Sequence, residues 1–417
     1  MNSRERVRRA LNHQEPDRLP IDLGASRVTG IHSEAYARLR ESLGVNSSPI
    51  RVFDLFQMLG EVELAVVDKL GIDTLPVSPL RGTFSFGMRH DQRRPYRFWW
   101  MPADEPVLVP AAFDPVVEED GSLTIIDPGA HPSQNRAKMP AEGWYFDRLG
   151  FTAMSDELHL EDIATLRANM HRFTEEELNF VHDQADALHT TTDKALVGEF
   201  MEGRLGAAGS MTFPDWMVSL ITEKSYMYDF YQVSADVAIE NLQAYHDAVG
   251  ERIEAVVIST ADYGTQRSEM FSPAVFEELF IPAFRRINDW VHANTNWKTF
   301  YHSCGSIRNL IDPLIEAGVD ILNPVQVSAA NMDPPGLQRD FGGRIVFWGG
   351  GIDTQNVLPF GSVEEVRDQV REHINIFGPG GGFVFSTVHN IQAKVPTENI
   401  LGMYDAVHEF GRYPLEA

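Results

Sequence analysis

The chain is 417 residues long, 43% apolar, and carries a formal net charge of −25. Its length suits two average domains or one α/β barrel with an insertion, and the apolar content is ample for a large core. The acidic balance, with no basic stretch to offset it, disfavours nucleic acid and anionic membranes as partners. A single cysteine, Cys304, excludes an internal disulfide framework and fits a reducing compartment.

Residues 1–9 lack the apolar core of a signal peptide, and no run of about 18 apolar residues occurs. A cytoplasmic setting with no membrane span is expected. Residues 3–13 read as an amphipathic helix opened by Ser3, with Val7, Ala10 and Leu11 on one face. Pro16 and Pro20 end it, and residues 21–23 read as a short strand before Gly24. Helical spacing returns over 33–43 and about 54–70, followed by an apolar strand at 72–77.

Residues 80–150 break this rhythm with prolines, glycines and short alternating aromatic runs, which predicts a β-rich insertion of hairpins around a small core. Beyond it the pattern is regular. Helices are predicted near 161–168, 174–187, 214–249, 273–294, 307–317, 363–377 and 397–410. Strands are predicted at 195–200, 255–260, 298–304, 321–326, 344–348 and 382–388. With those near 21 and 74 they make eight, and their continuous apolar runs suit strands buried on both faces. The predicted fold is α/β, a (β/α)8 TIM barrel forming one domain over 1–417, with the insertion after the second strand. An open doubly wound sheet is the alternative, but no Gly-x-Gly-x-x-Gly follows the first strand.

Barrel enzymes place their chemistry at the carboxyl ends of the strands. Those ends here carry Glu199, Glu202, Asp262, Gln266, His302, Cys304, Asn323, Gln326, Asp353, His389 and Gln392. His302 and Cys304 lie two apart at a strand end, so both side chains can face one centre. A buried thiol beside a satisfied histidine is the plainer reading of that pair, since one His-x-Cys is not a zinc signature. His389, after the eighth strand, adds a second imidazole. Two nitrogens and one sulfur would leave one position open on a tetrahedral zinc, the catalytic arrangement. Strands five and eight are not neighbours, so His389 must reach inward from its loop.

The segments DYGTQ at 262–266, YHSCG at 301–305, GVDILNP at 318–324, GGGID at 349–353, GGFV at 381–384, and HNIQ at 389–392 with VPTEN at 395–399 resemble the uroporphyrinogen decarboxylase superfamily, which includes corrinoid-dependent methyltransferases. The opening RERV at 4–7 and PDRLP at 16–20 is also similar. The resemblance implies the barrel. In its decarboxylase branch the cleft is metal-free, with an arginine-rich segment after the first strand and an aspartate ending the second. Here those places read IDLGASR at 21–27, with one arginine, and PVSP at 76–79. In its methyltransferase branch zinc sits on His-x-Cys and a later cysteine. This chain keeps His302 and Cys304, and the later position falls on His389. The decarboxylase branch carries a histidine there too.

The resemblance therefore implies a zinc methyltransferase that moves a methyl group between a small substrate and a corrinoid (cobalamin). No Asp-x-His-x-x-Gly is present, so the corrinoid is expected on a separate partner protein. Asp262 and Glu199 are the expected acid or orienting groups, and Gln266, Asn323 and Gln326 the expected substrate contacts. A metal-free lyase acting on a tetrapyrrole or other polycarboxylate, and a ligand-binding barrel without chemistry, are the alternatives.

Overall fold

The computed structural model describes residues 1–45, 49–80, 96–100, 106–126, 136–149, 153–155 and 157–415. Seven parallel strands form one sheet in the order Phe383–Val384, Val346–Trp348, Ile321–Asn323, Lys298–His302, Ala255–Ser259, Ala195–Gly198, Thr74–Val77. The predicted first strand, near residue 21, fills the gap between the two edges. Phe385 N–H donates to Pro20 O, Asp22 N–H to Phe385 O, and Asp73 N–H to Ile21 O. This three-residue contact is too short to count as a strand, yet it gives both edges backbone partners. The architecture is α/β and TIM-barrel-like.

Strand alternation separates two apolar layers. Val197, Val257, Phe300, Ile321, Val346, Trp348 and Val384 pack together inside the curl of the sheet. Their sequence neighbours, such as Leu196, Ile258, Tyr301, Leu322 and Phe347, pack outward against the helices. Val7 and Leu11 join the inner cluster, so the helix Ser3–Leu11 plugs the amino-terminal end of the barrel. Its cap is Asn2 and not Ser3: the Asn2 side chain accepts from Glu5 N–H, and Ser3 Oγ donates instead to Asp73.

Asp73 is the polar knot of this end. Its carboxylate, with no exposed surface, meets Arg6 Nη1 and Arg18 Nη1 at 2.7 Å each. It also accepts from Ile21 N–H at 2.9 Å. At the other end of the same segment the buried Asp22 accepts from Trp348 Nε1, Thr74 Oγ1 and Ala25 N–H. Burial raises the pKa of this carboxyl, against the pull of those donors.

Three helical readings change. The stretch at about 54–70 is not one helix: Ile50–Asp54 and Leu59–Gly60 pair antiparallel, and only Leu64–Lys69 is helical. The cause is tertiary, because Ile50 and Arg51 pair parallel with Val107 and Leu108, and Tyr96–Trp100 adds an outer strand. The helical region at 214–249 divides at Glu223, and that at 273–294 divides at Phe280, just before Pro282. A helix at Pro334–Phe341 lacked a sequence reading. A second antiparallel sheet joins short strands between Val116 and Arg148. Part of the 80–150 stretch lies outside the described residues. Among the described residues no helix is long and apolar enough to cross a membrane.

Candidate metal centre

Phe300 points into the barrel, so His302, two residues on, points the same way at the carboxyl end. Ile321 and Asn323 repeat that relation on the adjacent strand, and His302 and Asn323 are register partners. Pleat and register together therefore place the two side chains side by side, with His302 Nδ1 2.6 Å from Asn323 Oδ1. Asn323 Nδ2 donates to Trp348 O at 2.7 Å, which orients the amide with its oxygen toward the imidazole. His302 accordingly holds its proton on Nδ1 and presents the Nε2 lone pair to the barrel mouth.

Cys304 follows on the loop, its Sγ 3.3 Å from His302 Nε2. Gly305 gives this loop its path. Its φ is +93°, and a Cβ there would lie 2.4 Å from Gly264 C, so the Cys304–Ser306 backbone packs directly on the Gly264–Thr265 backbone. Asp262 Oδ1 accepts from Cys304 N–H at 2.7 Å and lies 3.5 Å from His302 Nε2. Gln326 Oε1 accepts from Gly305 N–H at 2.7 Å.

His389 reaches in from the loop after Phe383–Val384, its ring centroid 5.4 Å from that of His302. Asn390 secures the loop, accepting from Gly30 N–H and donating to Arg27 O and Gln57 Oε1. One ligand atom each from His302, Cys304 and His389 lies within 4.8 Å of the other two. The long reach across the barrel is thus made by a loop tied to the amino-terminal segment.

Burial, and the neighbouring Asp262 charge, push the Cys304 thiol well above its ordinary value. Burial lowers His302, and burial together with His302 takes His389 down to about 4. Without a cation the trio is therefore a thiol and two neutral imidazoles at neutral pH. Two lone pairs and a sulfur that can lose its proton match the donor set of a zinc site.

The remaining strand-end residues separate into groups. Gln326 Nε2 donates to Gln266 Oε1, and Gln266 Nε2 to Gln355 Oε1 at 3.0 Å, forming a chain behind the Gly305 loop. Asn323 and Gln326 thus have both amide ends engaged by protein. Glu199, 2% exposed, accepts from Arg27 N–H at 2.8 Å and Ser78 Oγ at 2.7 Å. Glu202 pairs with His171, and Asp353 caps the turn at Gln355 and Asn356.

Asp262 also borders a cavity of about 420 Å³ between the loops after Ala195–Gly198 and Ala255–Ser259. Arg204 and Trp216 line it; sequence reading missed both, having sought imidazole, thiol and carboxylate donors. Arg204 stands five residues past Glu199 in a glycine-rich loop, the one signal available. A larger cavity, about 620 Å³, lies by Arg8 and Lys298 at the opposite, structural end of the barrel.

Replacing Asn323 by alanine frees the His302 ring and its tautomer. Zinc affinity measured by competition with a chromophoric chelator is expected to fall roughly 10–100-fold. An unchanged affinity would show that the amide does not orient the ligand.

The family model described as Uroporphyrinogen decarboxylase (URO-D) matches residues 153–410. A uroporphyrinogen decarboxylase of Anaeromyxobacter dehalogenans is 25% identical over 140 residues, covering 32% of this chain and 36% of the relative. That of Thioalkalivibrio sulfidiphilus is 22% identical over 272 residues, covering 61% of this chain and 71% of the relative. The chain thus spans about a third of the first relative's length. Among solved structures, a methyltransferase from Methanosarcina mazei superposes with a TM-score of 0.52 at 16% identity, covering 98% of this chain and 99% of its own. At that identity the likeness is one of fold.

Proposed function

The chain belongs to the uroporphyrinogen decarboxylase family, and within it we propose a zinc-dependent methyltransferase that exchanges a methyl group between a small substrate and a corrinoid carried on a partner protein. One observation carries the reading: His302, Cys304 and His389 bring two imidazole nitrogens and a thiol together at the barrel mouth. Bound there, zinc supplies Lewis acidity to the oxygen, sulfur or nitrogen that gives or receives the methyl group.

The chain's own residues supply position and charge. Asn323 holds His302 in the ligating tautomer. Asp262 fixes the Cys304 loop through its backbone N–H and puts a carboxylate beside the cavity, where it orients the substrate or takes up a proton. Gln326 and Gln266 brace Gly305, acting on the substrate through the loop. Glu199 holds the Arg27 loop. Trp144 of the insertion meets His32 edge-on and carries Lys394 over its ring.

The metal-free decarboxylase reading draws on the names of the two curated relatives. Against it stands the use of Arg27. Its Nε lies 3.6 Å from Glu199, so the single arginine of the first segment is already set against a carboxylate.

The test mixes the protein with a reduced corrinoid and candidate methyl donors and follows the cobalt spectrum. Methyl–cobalt formation should disappear on chelation, return with zinc, and be absent in His302→Ala and His389→Ala. Equal rates in chelated protein would sink the proposal.

A further inference from the structure

The cavity beside the metal centre has a composition of its own. Phe213, Trp216 and Phe230 supply aromatic walls, and Leu205, Met211 and Met270 complete an apolar lining. Trp216 is held in place by its Nε1–H donating to Tyr231 Oη at 2.7 Å. A volume of about 420 Å³ suits a small organic molecule.

Arg204 is the one cation among the described residues of that lining. Among the described residues it has no carboxylate within ion-pair distance, and it stands at a cavity wall. Its loop is pinned: Tyr263 Oη donates to Leu205 O at 2.9 Å, tying the Arg204 loop to the loop that carries Asp262. In a chain of net charge −25, a guanidinium left without a partner at a cavity wall is a selective feature. A planar fork of donors fits a carboxylate best.

We propose that this cavity binds a small aromatic carboxylate, with Arg204 holding the carboxylate and the ring lying among Phe213, Trp216 and Phe230. Asp262, on the same lining, accepts from Cys304 N–H and lies 3.5 Å from His302 Nε2, so the cavity adjoins the metal-capable trio. This deepens the methyltransferase reading and rests on it only for the identity of the reacting atom; binding is independent of it.

Calorimetry on the full-length protein, metal-free and zinc-loaded, tests this with three probes: 4-methoxybenzoate, methoxybenzene and 4-methoxybenzylamine. The anion should bind about tenfold or more tightly than the neutral probe, the worth of one charge-assisted contact. The amine, the reverse-charge control, should bind more weakly than the anion. Arg204→Gln should bring the anion to the affinity of the neutral probe while leaving zinc content unchanged; Arg204 is exposed, so the fold is not at risk. Phe213→Ala should weaken all three probes together. Equal binding of anion and neutral probe by the parent, an anion preference that survives Arg204→Gln, or no binding of any probe would each overturn the proposal. Anion-selective binding without methyl transfer would sink the methyltransferase reading alone.

Discussion

In Cys304→Ser protein, zinc content should fall from about one per chain to near zero after dialysis against a mild chelator. Losing a direct ligand should cost more than the roughly 10–100-fold expected from losing a residue that only orients one. The same substitution removes a proton from the binding reaction. The parent at pH 7 begins with a protonated thiol, because burial and Asp262 raise its pKa, and with two histidines already neutral because burial lowers theirs. Zinc uptake by the parent should therefore release about one proton, from Cys304, and affinity should rise with pH. Calorimetry in buffers of different ionisation enthalpy counts that proton. Thermal melting should change little, since Cys304 packs at the mouth, outside the inner cluster, and serine is nearly the same size. Unchanged zinc content in the variant, or release of two or more protons by the parent, would contradict the ligand assignment.

Asp73→Ala should be strongly destabilising, by about 3–5 kcal/mol, the usual cost of removing one partner of a buried charge cluster. Arg6 and Arg18 would both lose the carboxylate, and the Ile21 N–H its acceptor, where the amino-terminal segment bridges the sheet edges. Asp17→Ala is the control. Asp17 pairs with the same Arg6 through both oxygens, but it is 42% exposed, so solvent screening should hold its cost to about 1–2 kcal/mol. Urea denaturation compares the two, and equal losses would mean that burial at Asp73 is not what matters.

The strands were legible because parallel barrel strands are buried on both faces and read as continuous apolar runs; 195–200, 255–260 and 298–304 all contain observed strands. The 54–70 stretch misread for the opposite reason. Its Leu59–Gly60 pairs with Ile50–Asp54, which is itself held by Val107 and Leu108, 57 residues further along, and helical spacing carries no record of them. At the site, strand alternation accounts for His302, but the expected strand 298–304 ends at His302 and Cys304 sits on the loop beyond it; His389 was singled out by its ligand chemistry. The amide geometry of Asn323 did not follow from the sequence, because it depends on register with His302 and on the Trp348 carbonyl across one more strand. Arg204 was hidden by its loop, where neither period nor motif marks a side chain. The bond from Trp348 to Asp22 joins residues 326 apart, beyond any local pattern.

X-ray absorption at the zinc edge of the purified, zinc-supplied protein tests the metal centre most directly. The account predicts about one zinc per chain with one sulfur neighbour at ~2.3 Å and two imidazole nitrogens at ~2.0–2.1 Å, the remaining position taken by a light atom. Zinc that fails to bind, or binds with no sulfur neighbour, would contradict it.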